Sequence, residues 1–179
     1  EWLFEHYPDY DDGYGERYRQ TVNTYNGEDM LSQVLLYTLV AGDYDGDGKT
    51  DFAVFRSGTW FISGSTAGFS GAQFGLATDL PAQGDFDGDG KMDPAVYQPS
   101  SGTWQMLLSS SNYRLAGALF GGPQFIPVPG DYDGDRFTDM AVYDTLNGKW
   151  QMPALNSASA ALGGPGWRPA PGDYDGDGK

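Results

Sequence analysis

The chain has 179 residues, with 25 Asp and Glu against 10 Lys and Arg, a formal charge of −15, and no cysteine. This acidity, with no basic stripe, excludes a nucleic-acid binder, and the lack of cysteine excludes a disulfide framework, leaving metal as the cross-link for small repeats. The longest apolar stretch, residues 34 to 41, is too short to cross a bilayer, and a single histidine, His6, excludes the usual multi-histidine zinc sites and reads as a surface residue.

Residues 1–40 form an acidic segment crowded with aromatics: Trp2, Phe4, Tyr7, Tyr10, Tyr14, Tyr18 and Tyr25. It reads as a degenerate repeat or a cap over the hydrophobic face of the first repeat. The run from Asp9 to Gly15 resembles a decayed copy of the loops described next. It lacks the fifth-position Asp and offers Arg17 at the ninth, so no ion is assigned to it. Residues 28 to 39 fit both a helical stripe and a strand, and the repeat logic favours a strand before the first loop.

From Gly42 onward an acidic nine-residue pattern governs the chain. Its first three copies are Asp43-Tyr-Asp45-Gly-Asp47-Gly-Lys49-Thr-Asp51, Asp85-Phe-Asp87-Gly-Asp89-Gly-Lys91-Met-Asp93 and Asp131-Tyr-Asp133-Gly-Asp135-Arg-Phe137-Thr-Asp139. A fourth copy begins with Asp173, Asp175 and Asp177 and lacks its ninth position. Calcium takes six to eight oxygens, and a tight loop aims alternate carboxylates and one backbone carbonyl at a single point. The predicted ligands are the Asp side chains at positions one, three, five and nine, with the seventh-position carbonyls of Lys49, Lys91 and Phe137. A glycine at the sixth position, Gly48 or Gly90, permits the sharp bend. Arg136 replaces it in the third copy, which is therefore the weakest predicted site.

Each loop runs into an apolar triplet, Ala53-Val54-Phe55, Ala95-Val96-Tyr97 or Ala141-Val142-Tyr143, with apolar residues on both faces of the expected strand. A glycine-bearing turn (Ser57-Gly58, Ser101-Gly102, Asn147-Gly148) leads to a second strand at Trp60, Trp104 or Trp150, making a β-hairpin. A third apolar segment follows near residues 72 to 76 and 118 to 120. The first Asp residues recur at intervals of 42, 46 and 42 residues, a period typical of propeller blades and other repeat arrays. The expected architecture is all-β, in blades of about four antiparallel strands with calcium-binding loops, as a partial propeller or an open, assembled array. The repeats span about 43–84, 85–130 and 131–172, with a fourth from 173, inside a domain of residues 41–179. The repeated Trp residues could stack on sugars, but their register with the triplets favours blade core.

The unit Gly42 to Phe55, with Phe74-Gly75 and Phe120-Gly121 ahead of the next loops, resembles the FG-GAP (VCBS-type) repeat of bacterial secreted proteins, which also builds the integrin α-subunit propeller. The resemblance covers residues 40 to 179. It implies a β-propeller with calcium in the loops joining neighbouring strands, and extracellular roles in adhesion or polysaccharide handling.

No signal peptide is visible, and with Glu1 in place of Met the chain reads as a mature or excised segment. Calcium and cysteine usage place it outside the cell, secreted or at the cell surface. The expected function is a calcium-stabilised binding or adhesion module for a protein or glycan ligand. The alternative is a structural subunit of an extracellular filament, self-associating head to tail through the Asp173 loop. Catalysis is not expected, because there is no Gly-x-Ser-x-Gly elbow (Gly68 to Ala72 only approaches one) and no nucleotide-cradling loop. A polysaccharide lyase is the minor alternative.

Overall fold

A computed structural model describes Thr38–Leu39, residues 41–153 and residues 158–176. All of these lie within one compact unit, Leu35–Lys179. The expected Asp9 loop, most of the 28 to 39 segment and Asp177 lie outside the described residues.

The described residues form three four-stranded antiparallel sheets. The first contains β1 (Thr38–Leu39), β2 (Phe52–Arg56), β3 (Thr59–Gly64) and β4 (Gly68–Gln73). The second contains β5 (Leu80–Pro81), β6 (Ala95–Gln98), β7 (Thr103–Leu108) and β8 (Arg114–Leu119), and the third β9 (Phe125–Pro127), β10 (Val142–Asp144), β11 (Lys149–Met152) and β12 (Ala158–Ala161). In each sheet the strands lie side by side in chain order, the meander of a propeller blade. Among the described residues no α-helix occurs, and a single 3₁₀ turn spans Ser109–Ser111.

Local chemistry explains the meander. Arg56 pairs with Thr59, so Ser57 and Gly58 alone make the turn. Both adopt positive φ, 50° and 78°, as the twist of a two-residue hairpin requires. The hairpin then aligns the triplet with the following Trp: Phe55 opposes Trp60, Tyr97 opposes Trp104 and Tyr143 opposes Trp150. Their ring centroids lie 5.3, 5.2 and 5.4 Å apart, close enough for favourable tilted aromatic contacts. The fourth strands begin earlier than the apolar segments suggested, at Gly68 and Arg114, because pairing with β3 and β7 recruits glycine-rich sequence of little strand character.

The core lies between sheets. Val96, the middle residue of the second triplet, packs with Ala53, Phe55 and Trp60 of the first sheet, and Val142 packs with Ala95, Tyr97 and Trp104 of the second. Alternation along a strand sends the outer residues of each triplet to one face and the middle residue to the other. Strands β6 and β10 are consequently buried on both faces. Trp60 and Trp104 are wholly buried, as the blade-core reading expects.

Candidate metal centre

In each sheet the nine-residue loop joins the first strand to the second, and a short bridge closes it. The ninth-position amides of Asp51, Asp93 and Asp139 donate to the carbonyls of Gly42, Gly84 and Gly130 at 2.8, 2.7 and 2.8 Å. The first Asp organises the bend by collecting amides. Asp43 accepts from Gly46, Asp47 and Gly48 (2.6, 3.2 and 2.8 Å), and Asp85 from Gly88, Asp89 and Gly90 (2.7, 3.1 and 2.9 Å). Asp131 accepts from Gly134 and Arg136, at 2.6 and 2.8 Å. The fourth loop begins in the same way, Gly176 donating to Asp173 at 2.7 Å.

The ninth Asp is buried beneath the loop and ties it to the sheet. One oxygen accepts the amide of Tyr44, Phe86 or Tyr132 (2.8, 2.9 and 3.0 Å). The other oxygen of Asp51 accepts from Ser65 N, and that of Asp93 from Ser109 N, both at 2.7 Å, in the turns that lead to the fourth strands. The third Asp reaches the same turns. Asp45 Oδ2 accepts from Thr66 and Ala67 at 2.8 Å each, and Asp87 Oδ2 from the amide and hydroxyl of Ser110 at 3.1 and 2.7 Å.

Three carboxylates come together in each of the three complete loops. One oxygen each from Asp43, Asp45 and Asp51, from Asp85, Asp87 and Asp93, and from Asp131, Asp133 and Asp139 lie within 4.8 Å of one another. Each cluster could hold a metal ion. In the first two, the remaining third-position oxygens, Asp45 Oδ1 and Asp87 Oδ1, are buried without a hydrogen-bond partner. Such an atom is costly to leave unmatched and fits a cation. Electrostatics point the same way. Burial, with the charge of Asp87 nearby, raises the pKa of Asp93, and burial with the charges of Asp133, Asp135 and Asp131 raises that of Asp139. Asp45 is held low by the amides of Ala67 and Thr66.

The fifth-position residues Asp47, Asp89 and Asp135 stand outside these clusters. Asp47 accepts from the hydroxyls of Ser65 and Thr66 and from the Lys49 ammonium, which hold its carboxyl low, and Asp89 accepts from Ser109 Oγ at 2.9 Å. The seventh-position residues Lys49, Lys91 and Phe137 donate their amides to these Asp side chains at 3.0, 2.9 and 2.9 Å.

Sequence reasoning missed the polar outer turn, Ser65-Thr66 and Ser109-Ser110. The signal was present: both pairs begin five residues after the strand Trp. It also missed that successive loops are bonded to each other. Met92 N donates to the Asp43 carbonyl and Thr138 N to the Asp85 carbonyl, both at 2.6 Å. Glycine ahead of the loop makes this approach possible, since a Cβ on Gly84 would overlap the Thr138 side chain.

Residues 36–59, which hold the first loop, its triplet and the turn to Trp60, match the family described as FG-GAP repeat. This segment is similar to an FG-GAP repeat. No curated protein and no solved structure matches the chain. The second and third sheets reproduce the strand order, Asp spacing and bridge of the first. Among the described residues no helix is long and apolar enough to cross a membrane.

Proposed function

We propose that the chain is an extracellular, calcium-stabilised binding or adhesion module, in which FG-GAP blades present their loops to a protein or glycan. The observation that carries this reading is the recurrent three-carboxylate cluster, with a buried unmatched oxygen at Asp45 and at Asp87. An all-oxygen donor set suits calcium. Asp43, Asp45 and Asp51, Asp85, Asp87 and Asp93, and Asp131, Asp133 and Asp139 would hold it, with the fifth-position Asp side chains and the carbonyls of Lys49, Lys91 and Phe137 as further donors. Bound calcium supplies positive charge where like charges crowd. The first Asp shapes the loop, the ninth anchors it in the sheet, and the third ties it to the outer turn. Extracellular modules with millimolar to submillimolar sites need the calcium found outside cells, which favours that compartment.

The test is a screen of the immobilised chain against glycan and protein arrays, in calcium and in chelator. The reading expects a ligand whose capture is lost on chelation. Capture indifferent to chelation would contradict it.

One observation favours a self-assembling structural subunit as a second reading. All six residues of β4 are exposed, including Phe69, whose ring stacks on Phe61 with centroids 6.3 Å apart. An exposed terminal strand can template pairing with another chain. Electron microscopy separates the two: discrete particles in calcium support the module, and calcium-dependent fibres support the subunit.

A further inference from the structure

Neighbouring loops are joined to one another, and each join reaches residues of two carboxylate clusters. The eighth-position amides of Met92 and Thr138 donate to the carbonyls of Asp43 and Asp85, the first residues of the preceding loops, at 2.6 Å each. Side chains widen the join. The Lys91 side chain and the Phe137 ring lie over Gly46 and Gly88, fourth in the preceding loops, where a Cβ would stand 2.5 Å from either. Met92 and Thr138 cover Gly42 and Gly84 in the same way, and a Cβ on either glycine would overlap them.

The join makes ligand positions in two loops depend on each other. Thr138 precedes Asp139, which donates its amide to the Gly130 carbonyl at 2.8 Å and accepts from Tyr132 N at 3.0 Å. Any shift of Thr138 therefore moves a carboxylate of the third cluster. At the other end of the bond, Asp85 offers its carbonyl to Thr138 and its side chain to the second cluster. The third loop has the most to gain from such a tie. Its Asp133 Oδ1 already accepts from Asp135 N at 3.1 Å, and its bend places Arg136 at φ 73°.

We propose that the loops take up calcium with positive coupling between neighbours, so that the third, weaker site draws affinity from the second. With the second loop filled, Asp85 is fixed, and its carbonyl holds Thr138 and hence Asp139 where the third site needs them. This inference rests on the calcium reading of the loops. Coupling of this kind is a free energy shared by two sites and is reciprocal. Repulsion between the two ions opposes it, so a net gain in affinity must come from the join.

The test titrates calcium into the metal-stripped full chain while NMR follows the Gly134 amide, which donates to Asp131 at 2.6 Å and reports the third loop. Asp87→Asn keeps the shape of the side chain but disables the second site, and it should raise the calcium midpoint of the Gly134 signal about 5-fold or more. In a Gly84→Ala background the new Cβ presses on the stiff, β-branched Thr138, so the same substitution should raise the midpoint distinctly less. A Gly130→Ala background, whose Cβ meets the Tyr132 ring at 3.4 Å, should keep the full shift. The charge lost with Asp87 is the same in every background, so the difference between backgrounds isolates the join. The comparison of parent with Asp87→Asn holds whether or not Gly84→Ala folds. Equal midpoints in that comparison, or equal shifts with and without Gly84→Ala, overturn the coupling and leave calcium binding standing. A Gly134 signal that never responds to calcium overturns the calcium reading of that loop and the coupling with it.

Discussion

The second and third Asp loops take the same sharp bend with different residues. Gly90 makes it at φ 88° and Arg136 at φ 73°, and each amide reaches the second oxygen of its first Asp, at 2.9 and 2.8 Å. The bend is thus imposed by a carboxylate gathering amides, and glycine only relieves its cost. Further along, the loops diverge. Asp89 N donates to Asp85, but Asp135 N donates to Asp133 Oδ1 at 3.1 Å, whereas the equivalent oxygen of Asp87 is unmatched. The third loop therefore satisfies internally an oxygen that the second leaves for a cation. Cluster spacing alone does not rank the sites; what each oxygen already holds does.

Substitutions can break this comparison. Trp104 is wholly buried and Trp150 only half-buried, so Trp104→Ala should cost about 3–5 kcal/mol and Trp150→Ala distinctly less. Equal losses in chemical denaturation would contradict the packing. Next in size, Asp85→Ala should remove the stabilisation its site draws from calcium, about 2.7 kcal/mol when calcium stands at a hundred times the dissociation constant. Asp131→Ala should remove less, and the opposite ranking in calcium-dependent melting would refute the weaker third site.

Glycines ahead of the loops sharpen the contrast. A Cβ on Gly84 overlaps Thr138, while one on Gly130 would meet the Tyr132 ring at 3.4 Å. Gly84→Ala should therefore cost about 1–3 kcal/mol by overpacking and Gly130→Ala little, as thermal unfolding of the pair would show. Arg136→Gly should stabilise the chain by about 1 kcal/mol by releasing backbone strain and should tighten the third site. Unchanged calorimetric affinity there would mean that the arginine is harmless.

The smallest effect concerns pH. Burial raises the carboxyls of Asp93 and Asp139. In chelator each favours the fold below its unfolded pKa, about 4, and loses that contribution as pH rises through the higher folded value. Asp45 and Asp47, held low, act in the opposite sense at lower pH. Bound calcium favours the ionised form, so the calcium-induced rise in Tm should grow as pH climbs above about 4. A gain independent of pH would show that these carboxylates do not meet the ion.

Much of this was legible in the chain because the repeat states it three times. The Asp spacing located the loops, the triplets gave the central strands, and Ser57-Gly58 fixed the first hairpin. Strand β4 was hidden because GFSGAQ carries little strand propensity and forms by pairing with β3. The placement of Asp47, Asp89 and Asp135 outside the clusters was hidden as well, since for Asp47 and Asp89 it involves the hydroxyls of Ser65, Thr66 and Ser109, beyond the motif. The contact of Met92 with Asp43 joins two repeats, and no pattern within one repeat announces it.

Calorimetric titration of calcium into the metal-stripped chain tests the central claim most directly. Saturable binding of about three ions, two tighter and one weaker, is the predicted result, given the three clusters among the described residues. Heats indistinguishable from dilution at millimolar calcium would contradict it.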